Sequence, residues 1–344
     1  MARVPAKTPR PKMRRRVRVH AAISDGGPVH DDPSRPALDR AAERFPDLAR
    51  CLDLSFSIGD GGLHDGLASA EIVIGDIPHP PDFARLAPGV LWLHSTSAGI
   101  DKLTPLDWLP RHAVLTNSSG VHVEKVAEFA TMALLMLHAG LPRLLENQKH
   151  HIWDKIQAGR PRINGQTVLI VGAGDVGSTV AREAKRMGLR VLGVRRSGRP
   201  RRHVDEMGRS SDLPRLLPQA DILFIAAPLT AETRGLIDRR ALQMLRRGAG
   251  VVNIGRGPIL DQDALADLLD SGHLSGAVLD VFDQEPLPAD SRLWATPGLI
   301  VLPHIGVDDT RNYMDLSLDI FFANLERWYD GRPLHNRINR RKGY

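Results

Sequence analysis

The chain has one cysteine, Cys51, and that scarcity excludes two classes at once. No internal disulfide can form, and a cysteine-based zinc cluster has no ligands. Long apolar runs are missing as well. The longest, Phe129 to Leu141, carries His138 and Gly140 and falls short of the roughly 20 residues needed to cross a bilayer, so it reads as a buried helix. The basic N-terminus is not followed by an uninterrupted apolar segment of the secretory kind. These absences point to a reducing cytoplasm, with no membrane partner expected and no metal site assigned.

Acidic residues are absent from Met1 to Arg18, which holds eight Lys or Arg and thereby accounts for the formal net charge of +6. The remainder carries 38 basic against 40 acidic residues and is close to neutral. Nucleic acid is therefore not an expected partner of the body. Pro5, Pro9 and Pro11 spoil an amphipathic helix in the tail, so residues 1–15 read as a disordered extension, with a targeting peptide or a polyanion-binding arm as alternatives. A 42% hydrophobic and 25% charged composition over 344 residues suits a globular protein with room for two domains.

The organising stretch is Thr167 to Gly177, TVLIVGAGDVG. A short apolar run ends in Gly172, Gly174 and Gly177, the Gly-x-Gly-x-x-Gly spacing of a tight turn whose amides open a helix towards a pyrophosphate. The bland reading is an ordinary strand-to-helix corner. Context favours the nucleotide, because Ser178 to Met187 reads as a helix and Arg190 to Val194 as a second strand.

On the N-terminal side, strand candidates begin at Arg16 to Ala21 and continue with Leu54 to Ile58, Glu71 to Gly75, Val90 to His94 and Ala113 to Thr116. Helical patches such as Pro36 to Glu43 separate some of them. This alternation predicts a parallel α/β layer. Val123 to Gly140 then reads as a helix apolar on more than one face, suited to a domain connection or a subunit interface. Beyond Gly177 come Asp221 to Ala226, Gly250 to Ile254, Gly276 to Val281 and Leu299 to Leu302, with a helix over Asp261 to Asp270. With Val168 and Arg190 they make six strand candidates, read as a complete doubly wound dinucleotide-binding domain. A final helix, Arg311 to Tyr329, is free to return to the first domain.

Ligands of open α/β sheets bind beyond the carboxyl ends of the strands. Arg256 follows GVVNI, Glu285 follows GAVLDV and His304 follows LIVLP. Arginine holds a carboxylate in a two-pronged geometry, and histidine exchanges protons near neutral pH, more readily with a carboxylate to orient it. Each has a bland counterpart: a helix cap, a solvated loop acid and a satisfied core histidine.

At this point the chain resembles the D-isomer-specific 2-hydroxyacid dehydrogenases. The resemblance runs from about Arg16 to Tyr344 and rests on GAGDVG at 172–177, PLTAETRGLI at 228–237, VNIGRG at 252–257, LDVFDQEP at 279–286 and LPHIG at 302–306. It implies two doubly wound parallel-sheet domains: a Rossmann NAD(P)-binding domain (118–306) inserted in a flavodoxin-like substrate domain (16–117 and 307–344). It implies that Arg256 binds the carboxylate and carbonyl of a 2-oxo acid, that His304 protonates the carbonyl oxygen, and that Glu285 hydrogen-bonds His304. Backbone amides of Ser97, Ala98 and Gly99 would hold the substrate carboxylate, and Asp280 would meet the nicotinamide carboxamide. Gly172, Gly174, Asp175, Val176, Gly177, Ala227, Pro228, Ile254, Gly255 and Gly306 complete the expected cofactor contacts.

The second strand of an NAD-specific domain of this kind ends in an acid that binds the ribose hydroxyls. Here it runs into Arg195, Arg196, Ser197, Gly198 and Arg199, and the next acid is Asp205. A carboxylate would repel a 2′-phosphate that guanidinium and hydroxyl groups would bind, so NADP(H) is expected over NAD(H), as in the glyoxylate and hydroxypyruvate reductase branch. A solvated basic turn is the bland alternative. A small 2-oxo acid is the default substrate, selected by the 76–81 loop, which contains His79, and by Trp92 to Ser97. The expected assembly is a homodimer. The competing functional class is a nucleotide-sensing, corepressor-like interaction protein, which shares these blocks, so that intact Arg256, Glu285 and His304 do not discriminate between the two.

Overall fold

The computed structural model describes residues 14–23, 33–75, 82–100, 103–153, 162–306 and 309–340. The first thirteen residues of the basic tail and the 76–81 loop with His79 lie outside the described residues. Two compact units account for the chain, one comprising residues 1–118 and 311–344, the other 119–310.

In the first unit, β1 (Val17–Ile23) is followed by helices α1 (Arg35–Arg44) and α2 (Pro46–Ala49), β2 (Leu52–Ile58), α3 (Leu63–Ser69), β3 (Ile72–Ile74), α4 (Phe83–Leu86), β4 (Trp92–His94) and β5 (Val114–Thr116). The five strands are parallel in the order β2-β1-β3-β4-β5, the flavodoxin-like winding. Apolar runs form here because both faces of a parallel sheet are covered. One face packs Leu67, Val73, Phe83 and Leu93 together. The other packs Val19, Ile74 and Trp92 against Leu318, Phe321 and Phe322 of the C-terminal helix, Tyr313–Tyr329. That helix is a member of this unit although its sequence follows the second.

The second unit opens with α5 (Val123–Ala139), which ends at Gly140 in the left-handed region, φ 69°. Helix α6 (Leu141–Lys149) leads to β6 (Thr167–Val171), α7 (Asp175–Arg186), β7 (Arg190–Val194), β8 (Glu206–Gly208), α8 (Leu213–Leu216), β9 (Ile222–Ile225), α9 (Arg239–Gln243), β10 (Gly250–Asn253), α10 (Gln262–Asp270), β11 (Gly276–Leu279) and β12 (Leu299–Val301). Helices α9 and α10 start where Asp238 and Asp261 accept from the amides of Ala241 and Ala264, at 2.7 and 2.8 Å. The strand order is β12-β11-β10-β9-β6-β7-β8.

One expectation needs correction. The six strands counted from the sequence are real, but the sheet has seven. Strand β8, three residues with Glu206 half-buried, takes the third position of the doubly wound order, and β12 is an addition at the far edge. Helix α5 packs Val126, Phe129, Ala130, Ala133, Leu134 and Leu137 on the sheet within this chain, while Met132 and Leu135 on its apolar surface are 41% and 44% exposed. Among the described residues no helix is long and apolar enough to cross a membrane.

Candidate active site

The glycine turn joins β6, buried along its whole length, to α7. Each glycine has its own cause. Gly172 has φ 99°, and a Cβ there would stand 2.4 Å from the Ala227 nitrogen at the end of β9. Gly177 lets the first turn of α7 rest on the corner, because its Cβ would come within 2.3 Å of the Gly172 carbonyl oxygen. Gly174 differs: a Cβ there meets nothing within 4 Å. Protein packing does not require a glycine at this position. The open space would let a ligand approach the backbone there, beside helix amides that have no intrahelical partner. The corner therefore fits a pyrophosphate. Asp175 begins the helix exposed, with Ser119 Oγ 3.4 Å and Arg201 3.9 Å from its carboxylate, and Val176 packs partly against the core.

Strand β7 runs into Arg195, Arg196 and Ser197, the first half-buried and the others exposed. Arg196 lies 3.7 Å from Glu232. Asp205 is not at this end of the strand. Its carboxylate accepts from the Val191 amide at 2.8 Å and from Lys185 Nζ at 3.0 Å, near the amino end of β7. The Val191 hydrogen bond, with Lys185 adding to it, holds that carboxyl below the ordinary range.

The ends of β9, β10, β11 and β12 stand side by side because those strands are neighbours in the sheet. After β9, Ala227 is buried and Pro228 exposed; the Pro228 carbonyl accepts from Thr233 Oγ1 at 2.7 Å. After β10, Ile254 donates to the Ile225 carbonyl at 3.0 Å, and Gly255 presses on Ala227, whose carbonyl oxygen a Cβ would approach to 2.6 Å. Arg256 follows, half-buried, with Nη1 donating to the Gly255 carbonyl at 2.7 Å. Gly257 is pressed harder still: its Cβ would lie 2.0 Å from the Phe282 carbonyl carbon.

After β11, Asp280 is buried to 1% exposure, and its carboxylate accepts from the Ile305 and Gly306 amides, each at 2.9 Å. The turn after β12 is thus tied down directly beyond His304, which sits at φ 55°, a conformation non-glycine residues seldom adopt. Gly306 leaves room for Phe129, whose ring a Cβ would approach to 2.5 Å. Glu285 uses both oxygens: Oε1 accepts from the Phe282 amide at 2.9 Å, and Oε2 lies 2.7 Å from His304 Nδ1. A carboxylate only accepts, so Nδ1 carries the hydrogen and Nε2 is the nitrogen left to exchange a proton. Both side chains keep solvent access, 41% for His304 and 37% for Glu285.

Ser97, Ala98 and Gly99 belong to the other unit, at the carboxyl end of β4. Their loop is fixed from behind. Tyr313 donates to the Thr96 carbonyl at 2.9 Å, Asn117 Nδ2 to that of Ala98, and the Ser97 amide to Ser95 Oγ at 3.2 Å. Below it lies His94, wholly buried, with Nδ1 2.8 Å from Thr116 Oγ1, which also accepts from Trp92 Nε1 at 2.8 Å. Burial pushes this imidazole down to about 3.

Asn253, the fully buried last residue of β10, is not among the residues singled out above. An amide closing an otherwise apolar strand was the available signal. Among the described residues no cluster of three metal-ligating side chains occurs.

Comparison with known proteins agrees with this architecture. Residues 131–306 match the model of the D-isomer specific 2-hydroxyacid dehydrogenase NAD binding domain. A glyoxylate/hydroxypyruvate reductase B of Pectobacterium atrosepticum is 34% identical over 257 residues, covering 71% of this chain and 78% of the relative. A D-isomer specific 2-hydroxyacid dehydrogenase from Xanthobacter autotrophicus Py2, solved with NADPH and MES, superposes with a TM-score of 0.82 at 28% identity, covering 94% of this chain and 99% of the other. The NADPH-dependent glyoxylate/hydroxypyruvate reductase of Sinorhizobium meliloti, solved with NADP and sulfate, gives 0.80 at 26% identity over 96% and 100%. With its two parallel sheets, its glycine corner and its motif blocks in order, the chain belongs to the D-isomer specific 2-hydroxyacid dehydrogenase family, an NAD(P)-dependent oxidoreductase family.

Proposed function

We propose that the chain reduces a small 2-oxo acid of the glyoxylate or hydroxypyruvate kind to the D-2-hydroxy acid, with NADPH preferred over NADH. The observation that carries this reading is the His304–Glu285 pair, 2.7 Å apart, on the same sheet edge as Arg256. Bound NADPH supplies the hydride. Hydride addition turns a carbonyl into an alkoxide, so a cation and a proton donor at that oxygen stabilise charge present mainly in the transition state. Arg256 holds the substrate carboxylate and carbonyl, and His304 Nε2 gives the proton. Glu285 accepts from Nδ1–H, so the doubly protonated ring that gives its Nε2 proton faces a carboxylate on its other side. The amides of Ser97, Ala98 and Gly99 bind the substrate carboxylate.

Gly172, Gly174 and Gly177 cradle the pyrophosphate, and Arg195, Arg196 and Ser197 take the 2′-phosphate. Asp205 cannot substitute for the ribose-binding acid of an NAD enzyme, being committed to Val191 and Lys185. Relatives named glyoxylate/hydroxypyruvate reductases and neighbours solved with NADP(H) support the same assignment. The exposed Met132 and Leu135 of α5 support a homodimer, and a cytoplasmic setting suits the single cysteine.

The test is NADPH oxidation by the purified protein against glyoxylate, hydroxypyruvate, pyruvate and phenylpyruvate. Turnover of the small acids is expected. Tight NADPH binding with no turnover of any acid refutes the reductase and favours a nucleotide-sensing protein.

A further inference from the structure

Asn253 has its carboxamide folded forward over the turn that it starts. Oδ1 accepts from the Gly255 amide at 3.0 Å and Nδ2 donates to the Arg256 carbonyl at 3.1 Å. Ile254, between Asn253 and Gly255, is committed to β9 through its amide. The turn is also wedged on both sides, by Gly255 against Ala227 and by Gly257 against Phe282. Position 253 is wholly buried, so neither bond is traded for water.

We propose that Asn253 is a positioning residue for Arg256, fixing the amide before the arginine and the arginine's own carbonyl so that the guanidinium leaves the turn in one direction. This rests on the reading of Arg256 as the group that holds the 2-oxo acid. Only a carboxamide offers an acceptor and a donor on one planar end at this reach. An aspartate would keep the bond to Gly255 but set a second oxygen against the Arg256 carbonyl. A serine keeps one oxygen and is too short to span the turn.

The experiment uses the full chain with Asn253→Asp and Asn253→Ser, each made in the wild-type and Arg256→Lys backgrounds. The measurements are kcat and KM for glyoxylate, the Kd for NADPH by fluorescence titration, and the thermal melt. In the wild-type background kcat/KM for the acid is expected to fall roughly 10- to 100-fold, the scale of a displacement of about 1 Å in a substrate-holding group. NADPH affinity stays within about threefold, and the same substitutions cost less than about threefold in the Arg256→Lys background, because residues acting through one another are not additive. Equal losses in both backgrounds overturn the proposal. So does a parallel loss of NADPH affinity, or loss of a cooperative melt in both variants, since either makes the amide a member of the scaffold alone. A wild-type protein that turns over no 2-oxo acid, or an Arg256→Lys variant with full kcat/KM, overturns the functional reading itself, and each is seen before any Asn253 variant is measured.

Discussion

Glu285 bridges two loops through its two oxygens, Oε1 to the Phe282 amide at 2.9 Å and Oε2 to His304 Nδ1 at 2.7 Å. The carboxylate is thus anchored on its own loop before it reaches the ring, so the imidazole is oriented by a fixed group and not by a mobile one. A histidine held in the left-handed region, with the next two amides tied to Asp280, has little freedom of its own.

If His304 is the proton donor, His304→Ala lowers kcat by roughly 10² to 10⁴, the range for a positioned general acid. Glu285→Gln retains the size and loses the charge, and is expected to cost less than His304→Ala. Steady-state kinetics together with NADPH titration check this. Near-wild-type turnover in His304→Ala, with cofactor affinity intact, refutes the role.

For the cofactor, replacing Arg196 by Asp is expected to lower kcat/KM for NADPH by about 10- to 100-fold, as loss of a charge-assisted hydrogen bond to phosphate does. The value for NADH should hold or rise, because a carboxylate accepts from ribose hydroxyls. Measuring both nucleotides in both proteins decides it; a wild-type preference for NADH sinks the assignment.

Stability should depend on pH through His94. Its folded-state value of about 3 lies below the ordinary 6.5, so below pH 6.5 the unfolded chain binds a proton that the folded chain does not. Stability is therefore full above 6.5 and declines as the pH falls from 6.5 towards 3, by on the order of 1 kcal/mol per pH unit. His20, lowered by burial between Ser55 and Ser57, adds in the same direction. Urea midpoints at pH 7.5 and 5, in wild type and in His94→Gln, measure the effect. An identical pH slope in the variant refutes it.

Much of the fold was legible because central parallel strands announce themselves. TVLIV, ILFI, GVVN and GAVL are buried at every position, and runs this short and this apolar fit little besides a strand covered on both faces. Strand β8 was not legible. It is three residues long, lies at the sheet edge, and offers Glu206 to Arg190 and Arg215, a pattern no different from a polar loop. Arg256, Glu285 and His304 could be singled out because topology says where to look in an open sheet. Their clamping contacts were not legible: Asn253 is passed over and Asp280 is expected at the nicotinamide carboxamide, because both grip backbone amides or carbonyls, and which ones they reach depends on turn geometry that composition does not encode.

The contact of Gly257 with Phe282 has a consequence for how this protein can vary. Any side chain at 257 must push back the backbone of Phe282 and Asp283, and Phe282 carries the amide on which Glu285 is anchored. The loop after β10 and the loop after β11 are therefore not separate parameters. An insertion, a shortening or a bulkier residue in one is felt by the other. These two loops change together or not at all.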